Sequence, residues 1–226
     1  MNRSEWLAER RTGVSGTDVS ILLGHNPYRS ESQLLMDKLG IVGPKGEFTG
    51  NAATRAGQLL EPVIADLWSQ RTGTITTPGR FTRSTVNSRF IGTPDYLTGH
   101  GNGLEIKTGV EKTWAKGCPL SYSDQARWYA MITERPVWDL YAVIVPSDKS
   151  VIPFGNGDTE SHELMLEWAS QRPVREYQFE RDQAWEEIAQ GVALVFLEKV
   201  DSYKVAPEAG LLVNGENSIF GQFVTR

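Results

Sequence analysis

Three residues carry the chemistry this sequence offers: Asp95 in Gly92-Thr-Pro-Asp95-Tyr-Leu, and Glu105 with Lys107 in Gly103-Leu-Glu105-Ile-Lys107-Thr. On an extended strand Glu105 and Lys107 point to one face, because side chains alternate with period two. A hairpin closed at Gly99–Gly103 brings Asp95, near the end of the preceding strand, back beside Glu105. Two carboxylates and an ammonium then converge. Phosphodiester hydrolysis needs such a cluster. Hard oxygen ligands, the Ile106 carbonyl among them, hold Mg²⁺. The cation polarises the phosphate and lowers the pKa of a water, and the lysine orients that water or stabilises charge on phosphorus. A D-x₉-E-x-K pattern is nevertheless short, and alternating charges also make the solvated face of an edge strand. On these residues alone both readings stand.

The elements that must position them are legible from caps, breakers and periodicity. Ser4 is placed to cap a short helix to Arg11, and Thr17 a second from Asp18 to Leu23 that Gly24 closes. Ser30 and Gln33 have capping-box spacing ahead of a helix ended by Gly40, and residues 41–51 read as a loop. Ala56, Leu59, Leu60, Val63, Ile64, Leu67 and Trp68 form one helical stripe, with Pro62 expected to kink it or to mark the start of its second half, and Gly73 to end it. Short strands follow at Thr74–Thr77, Arg80–Ser84, Phe90–Leu97 and Leu104–Thr108. Pro119 opens a helix to Thr133, and Trp138–Val145 is a buried central strand. Glu160–Ser170 reads as helix, Glu176–Phe179 as strand, and Asp182 caps a helix to about Tyr203. Asn214-Gly215 suggests a small terminal hairpin. The order predicts an α/β fold with a central mixed β-sheet flanked by helices.

Bulk composition is that of a soluble globular protein: 39% apolar and 23% charged residues among 226. No run approaches the roughly 18 apolar residues of a membrane span, and MNRSEWLAERR lacks the apolar core of a signal peptide. Cys118, the single cysteine, excludes a disulfide framework and a multi-cysteine metal site, and reads as a small buried hydrophobe. These features predict an intracellular protein. The net charge of −5 argues against a protein that coats nucleic acid, yet leaves room for an enzyme with a few placed cations. His25, His100 and His162 lack ligand spacing, and Gly99–Gly103 joins strands as a turn rather than a phosphate loop. Trp114, between Lys112 and Lys116, either stacks on nucleic acid or packs inside; Trp128, Trp138, Trp168 and Trp185 read as core or interface.

With Asp95, Glu105 and Lys107 in place, the chain resembles the phage lambda exonuclease family, or YqaJ-like viral recombinases, within the PD-(D/E)xK nuclease superfamily. Four blocks carry the resemblance: Trp6-Leu-Ala-Glu-Arg10 with Gly16-Thr17-Asp18 and Gly24-His-Asn-Pro-Tyr28; Gly57-Gln-Leu-Leu-Glu61-Pro62; Gly103-Leu-Glu105-Ile-Lys107; and Pro119-Leu-Ser-Tyr122-Ser-Asp-Gln125. The resemblance implies a restriction-endonuclease-like core and 5′→3′ digestion of double-stranded DNA that leaves 3′ single strands for recombination. It implies Mg²⁺ or Mn²⁺ held by Asp95, Glu105, Ile106 and Glu61, with Lys107 catalytic, Gln125 supporting the site and Tyr122 beside it. Arg10, Thr17 and Thr93 fall where the family binds a 5′-phosphate. A homotrimeric ring around DNA ends, a single-strand annealing partner and the cytoplasm of a bacterial host or phage-infected cell are implied as well. The chain departs from the family at Thr17 and Thr93, where serine is usual, and at Arg127, where a glutamine is common. Residues 1–205 are expected to form one nuclease domain, with 156–173 an insertion and 206–226 a tail or hairpin. A PD-(D/E)xK endonuclease, or a non-catalytic DNA-binding recombination scaffold on the same fold, are the alternatives.

Overall fold

The most apolar run of the chain becomes β6 (Val137–Ile144), and the computed structural model, which describes residues 3–41, 52–147 and 161–205, is organised around it. Alternation lets β6 serve two faces: Trp138, Leu140, Ala142 and Ile144 turn to one side, Tyr141 and Val143 to the other. Both faces are covered, which is why the run is apolar throughout rather than alternating. Its neighbours are β5 (Gly103–Gly109), parallel, and β7 (Val174–Glu180), antiparallel. Beyond β5 lie β4 (Tyr96–Thr98) and β1 (Thr76–Pro78), so the sheet runs β1-β4-β5-β6-β7. β2 (Thr82–Arg83) and β3 (Ile91–Gly92) form a separate two-stranded ribbon.

One helical layer holds α2 (Gly16–Leu22), α6 (Leu120–Ile132) and α8 (Gln183–Val205) around Val19, Trp128, Trp138 and Phe196. The other holds α4 (Ala52–Thr72) and α7 (His162–Ser170), with Leu60, Val63, Ile64 and Trp68 set on Leu104, Ile106, Tyr141 and Val143. Each fully buried Leu, Ile or Phe contributes about 1.5–3 kcal/mol. α1 (Arg3–Arg11), α3 (Glu31–Lys38) and the single turn α5 (Glu111–Trp114) complete the elements. The predicted mixed α/β fold is the one observed. Among the described residues no helix is long and apolar enough to cross a membrane.

Several local expectations are corrected. Thr17 does not cap α2; Ser15 does, its N–H and hydroxyl both donating to Asp18 Oδ2 at 2.9 and 2.8 Å. Ser4 lies inside α1. α4 runs unbroken through Pro62, which is exposed. The interior proline costs about 3 kcal/mol, a loss offset by the buried stripe on both sides of it. Leu59, assigned to that stripe, is 48% exposed. The Phe90–Leu97 run is not one strand, because Pro94 cannot continue a ladder; its halves enter different sheets as β3 and β4. Residues 41–51 beyond Ile41, the start of the 156–173 insertion and the Asn214-Gly215 hairpin lie outside the described residues.

Candidate active site

The β4–β5 hairpin sets Tyr96 opposite Leu104 and Leu97 opposite Gly103. Gly101, at φ +89°, makes its turn. Gly103 admits the hairpin against β6, since a Cβ there would stand 2.2 Å from the Trp138 ring. Continuing the register past Tyr96 would set Pro94 opposite Ile106. A proline has no N–H to give the Ile106 carbonyl, and the Ile106 N–H donates to the Asp95 side chain, Oδ2 at 2.8 Å, rather than to a strand carbonyl. Because a strand residue's N–H and C=O leave on the same edge, the Ile106 carbonyl lies on the Asp95 side.

Glu105 and Lys107 project together towards α6. Lys107 Nζ donates to Glu105 Oε1, while Glu105, fully buried, keeps Oε2 without a partner. Burial raises the Glu105 pKa to about 8, helped by the Asp95 charge and opposed by Lys107. Glu61, on α4, is pushed up to about 7, again by burial first and Asp95 second. Burial acts to discharge Lys107, but Glu105 and Asp95 outweigh it and hold its pKa above the ordinary lysine value. Glu61, Asp95, Ile106 and Lys107 line one cleft of about 220 Å³ with Gly57 and Gln58; Glu105 is fully buried and reaches it through Lys107. Pro62 deprives the Gln58 carbonyl of its helical donor four residues on.

Gln125 does not bond the carboxylates directly. Its Nε2 donates to the Tyr129 hydroxyl at 3.2 Å, and Tyr129, buried, feels the Glu105 and Asp95 charges, which together with burial raise its pKa. Tyr129 escaped the sequence reading, although its position four residues after Gln125 on one helix face was the available signal. The Lys107 ammonium stands 5.4 Å from the Tyr122 ring centre. Arg127 turns elsewhere, to Asp182 at 3.2 Å.

A second cluster forms at the opposite end of the sequence block. The Arg10 guanidinium lies 4.9 Å over the Trp6 ring, and Trp6 Nε1 donates to Thr93 Oγ1 at 3.3 Å. Arg10 Nη2 also reaches Asp18 Oδ1 at 3.5 Å, beside Thr17 in the first turn of α2. The buried Lys38 ties the cluster together, with Nζ 2.7 Å from both Asp18 Oδ2 and the Arg10 carbonyl. Trp6 thus joins Arg10 to Thr93, which stands two residues before Asp95, and Thr17 is the chain neighbour of the Asp18 that Arg10 reaches. Trp114 is not available to nucleic acid: it is 3% exposed and stacked on Tyr177.

Among the described residues no three acidic, histidine or cysteine side chains stand close enough to grip an ion as they are. The donor set nevertheless fits a hard divalent cation. Glu105 has a buried oxygen with no partner, burial and the Asp95 charge push both Glu105 and Glu61 up, and a carbonyl oxygen lies on the same edge.

Residues 5–136 match the profile of the YqaJ-like viral recombinase domain, a span that contains every residue of both clusters. The Bacillus subtilis (strain 168) protein YqaJ, described as uncharacterized, is 44% identical over 73 residues, which make up 32% of this chain and 22% of that relative's length. The alkaline exonuclease LHK-Exo from Laribacter hongkongensis superposes with TM-score 0.68 at 20% identity, over 92% of this chain and 100% of that one. Its complex with dAMP gives 0.65 at 20% identity, over 93% and 100%. A phage-related exonuclease from Haemophilus somnus 129PT gives 0.56 at 14% identity, over 85% and 96%. At such identities the likeness is one of fold, a mixed sheet flanked by helices.

Proposed function

Since this chain belongs to the YqaJ-like viral recombinase domain family, we propose that it is a divalent-metal-dependent 5′→3′ exonuclease acting on double-stranded DNA ends and leaving 3′ single strands for recombination. The observation that carries this reading is the Glu105 carboxylate, buried with one oxygen unpartnered beside Lys107, Asp95 and Glu61. Asp95, Glu105, Glu61 and the Ile106 carbonyl would hold Mg²⁺ or Mn²⁺. When bound, the cation supplies Lewis-acid chemistry: it polarises the scissile phosphate and makes water a stronger acid.

The chain's own residues do the remainder. Lys107, whose ammonium donates to Glu105, would stabilise the charge that builds on the phosphoryl oxygens. The Tyr129 hydroxyl, held by Gln125, would support the Glu105 side from α6. Arg10, Thr17 and Thr93 receive the 5′-terminal phosphate at the start of α2, where backbone N–H groups and the helix dipole favour an anion. A ring of three subunits would keep so acidic a protein on its track without extensive counterion release, and a single-strand annealing protein would take up the 3′ strand.

Digestion of linear against circular duplex, with Mg²⁺, Mn²⁺ or EDTA, is the direct test. Linear DNA lost with metal while circles survive supports the exonuclease. Loss of both makes it an endonuclease, and survival of both despite binding makes it a scaffold. Mass photometry with DNA present tests the trimer.

A further inference from the structure

A second groove, of about 360 Å³, shares Tyr122 with the Lys107 site. Tyr122 forms one wall, with its ring against the Lys107 ammonium and tilted on the buried Trp114 at 5.5 Å. Tyr28 lines the same groove and is 80% exposed. That exposure is not the looseness of a floppy loop. The His25 and Asn26 N–H groups both donate to the Ser20 carbonyl, at 2.8 and 3.1 Å. Asn26 Oδ1 accepts from the N–H groups of Tyr28 and Arg29, at 2.9 and 3.1 Å. His25 Nδ1, 2.7 Å from Asp124 Oδ2, fastens the loop to α6. An anchored segment therefore holds a large aromatic ring in water beside the candidate active site. Lys112 and Ser121 make the rim polar and cationic.

We propose that the groove between Tyr28 and Tyr122 is a stacking subsite for an unpaired nucleobase of the DNA strand whose phosphate lies at Lys107, with Lys112 against the neighbouring phosphate. The proposal rests on the nuclease reading and deepens it, by naming the rings that would hold a base beside the Lys107 site. Aromatic stacking accepts every base, as each has a π-face. It also grips DNA without adding positive charge, which suits a chain of net charge −5. The aromatic contact that the sequence offered at Trp114 passes to Tyr28, since Trp114 is buried under Tyr122. The groove's volume falls within the range of small-ligand sites, roughly 300–1,000 Å³.

The test is binding in EDTA of 5′-phosphorylated duplexes carrying 2-aminopurine in turn at the first few 5′ positions. Wild type and Tyr28→Phe should quench the fluorophore at one of these positions. Tyr28→Ala should leave it bright and weaken binding about fivefold or more, with an unchanged unfolding midpoint because the ring is exposed. Equal quenching by wild type and Tyr28→Ala, in a protein that degrades DNA, overturns the subsite and leaves the nuclease standing. Failure of Tyr28→Phe to behave as wild type also overturns it, since the phenol hydroxyl rather than the ring would then be the contact. A wild type that neither binds nor degrades DNA overturns both readings.

Discussion

Asp95 accepts the Ile106 backbone N–H at 2.8 Å, so that a side-chain carboxylate rather than a strand carbonyl meets this edge of β5 where the β4 ladder stops. The same carboxylate is therefore a structural plug and a candidate metal ligand. Asp95→Asn separates the two, because an amide oxygen still accepts the bond while its charge is gone. Cleavage should fall at least about a hundredfold and Mn²⁺ affinity, read by calorimetry, should collapse, with the metal-free unfolding midpoint unchanged. A variant as unstable as Asp95→Ala would show that the charge holds the hairpin rather than the ion.

Lys107 and Glu105 are coupled just as closely, and Glu105 is the more deeply buried of the two. Lys107→Met leaves that carboxyl group without its counter-charge, and burial then keeps it protonated at neutral pH without metal. A divalent cation can restore the balance. Mg²⁺ should thus raise the thermal midpoint more in Lys107→Met than in wild type, although the variant stays at least about a hundredfold less active. Equal metal-induced shifts in the two proteins would remove Glu105 from the proposed ligand set.

What the sequence made legible was local. The Glu105–Lys107 pair, the Gly99–Gly103 turn and the Asp182 cap each rest on neighbours a few residues apart. Even the missed α2 cap was within reach, since Ser15 and Asp18 have capping-box spacing and Thr17 was simply the wrong frame. What stayed hidden depends on contacts distant in sequence. Lys38 meets Asp18 across 20 residues, Trp6 meets Thr93 across 87, and His25 meets Asp124 across 99. Nothing local distinguishes the buried Trp114 from the exposed Tyr28; that is decided by what Tyr122 and Tyr177 cover. Pro94 misled in one respect and informed in another, breaking a predicted strand at the position that frees the Ile106 carbonyl.

Gly103 connects fold to site through its missing side chain. In Gly103→Ala the new methyl meets the Trp138 ring, which is fully buried and has nowhere to move. Overpacking of this kind costs about 1–3 kcal/mol, and the relief available is a shift of the hairpin that carries Asp95. Urea unfolding should show the loss of stability, and cleavage should fall further than the unfolded fraction explains. A destabilised variant with full activity per folded molecule would mean that the hairpin register does not set the site.

Asp18 links stability to the proposed phosphate cradle. Burial works against its charge, but Lys38, Arg10 and the Ser15 N–H together outweigh that and hold its pKa down to about 2, against an ordinary 3.8. A folded-state pKa below the unfolded one stabilises the protein above the higher value, and that stability is lost as pH falls from about 3.8 towards 2. The shift corresponds to about 2 kcal/mol. Asp18→Asn should be less stable than wild type at pH 7 by about 3 kcal/mol, because Lys38 is left buried and unpaired. The gap should narrow steadily in urea titrations repeated at lower pH, as wild type protonates Asp18. Arg10 also loses its partner, so the variant's preference for 5′-phosphorylated over 5′-hydroxyl ends should shrink at neutral pH while its Mn²⁺ affinity persists. A stability gap that does not change with pH would assign the effect to packing rather than to the Asp18–Lys38 charge pair. An intact end preference would detach Asp18 from the cradle.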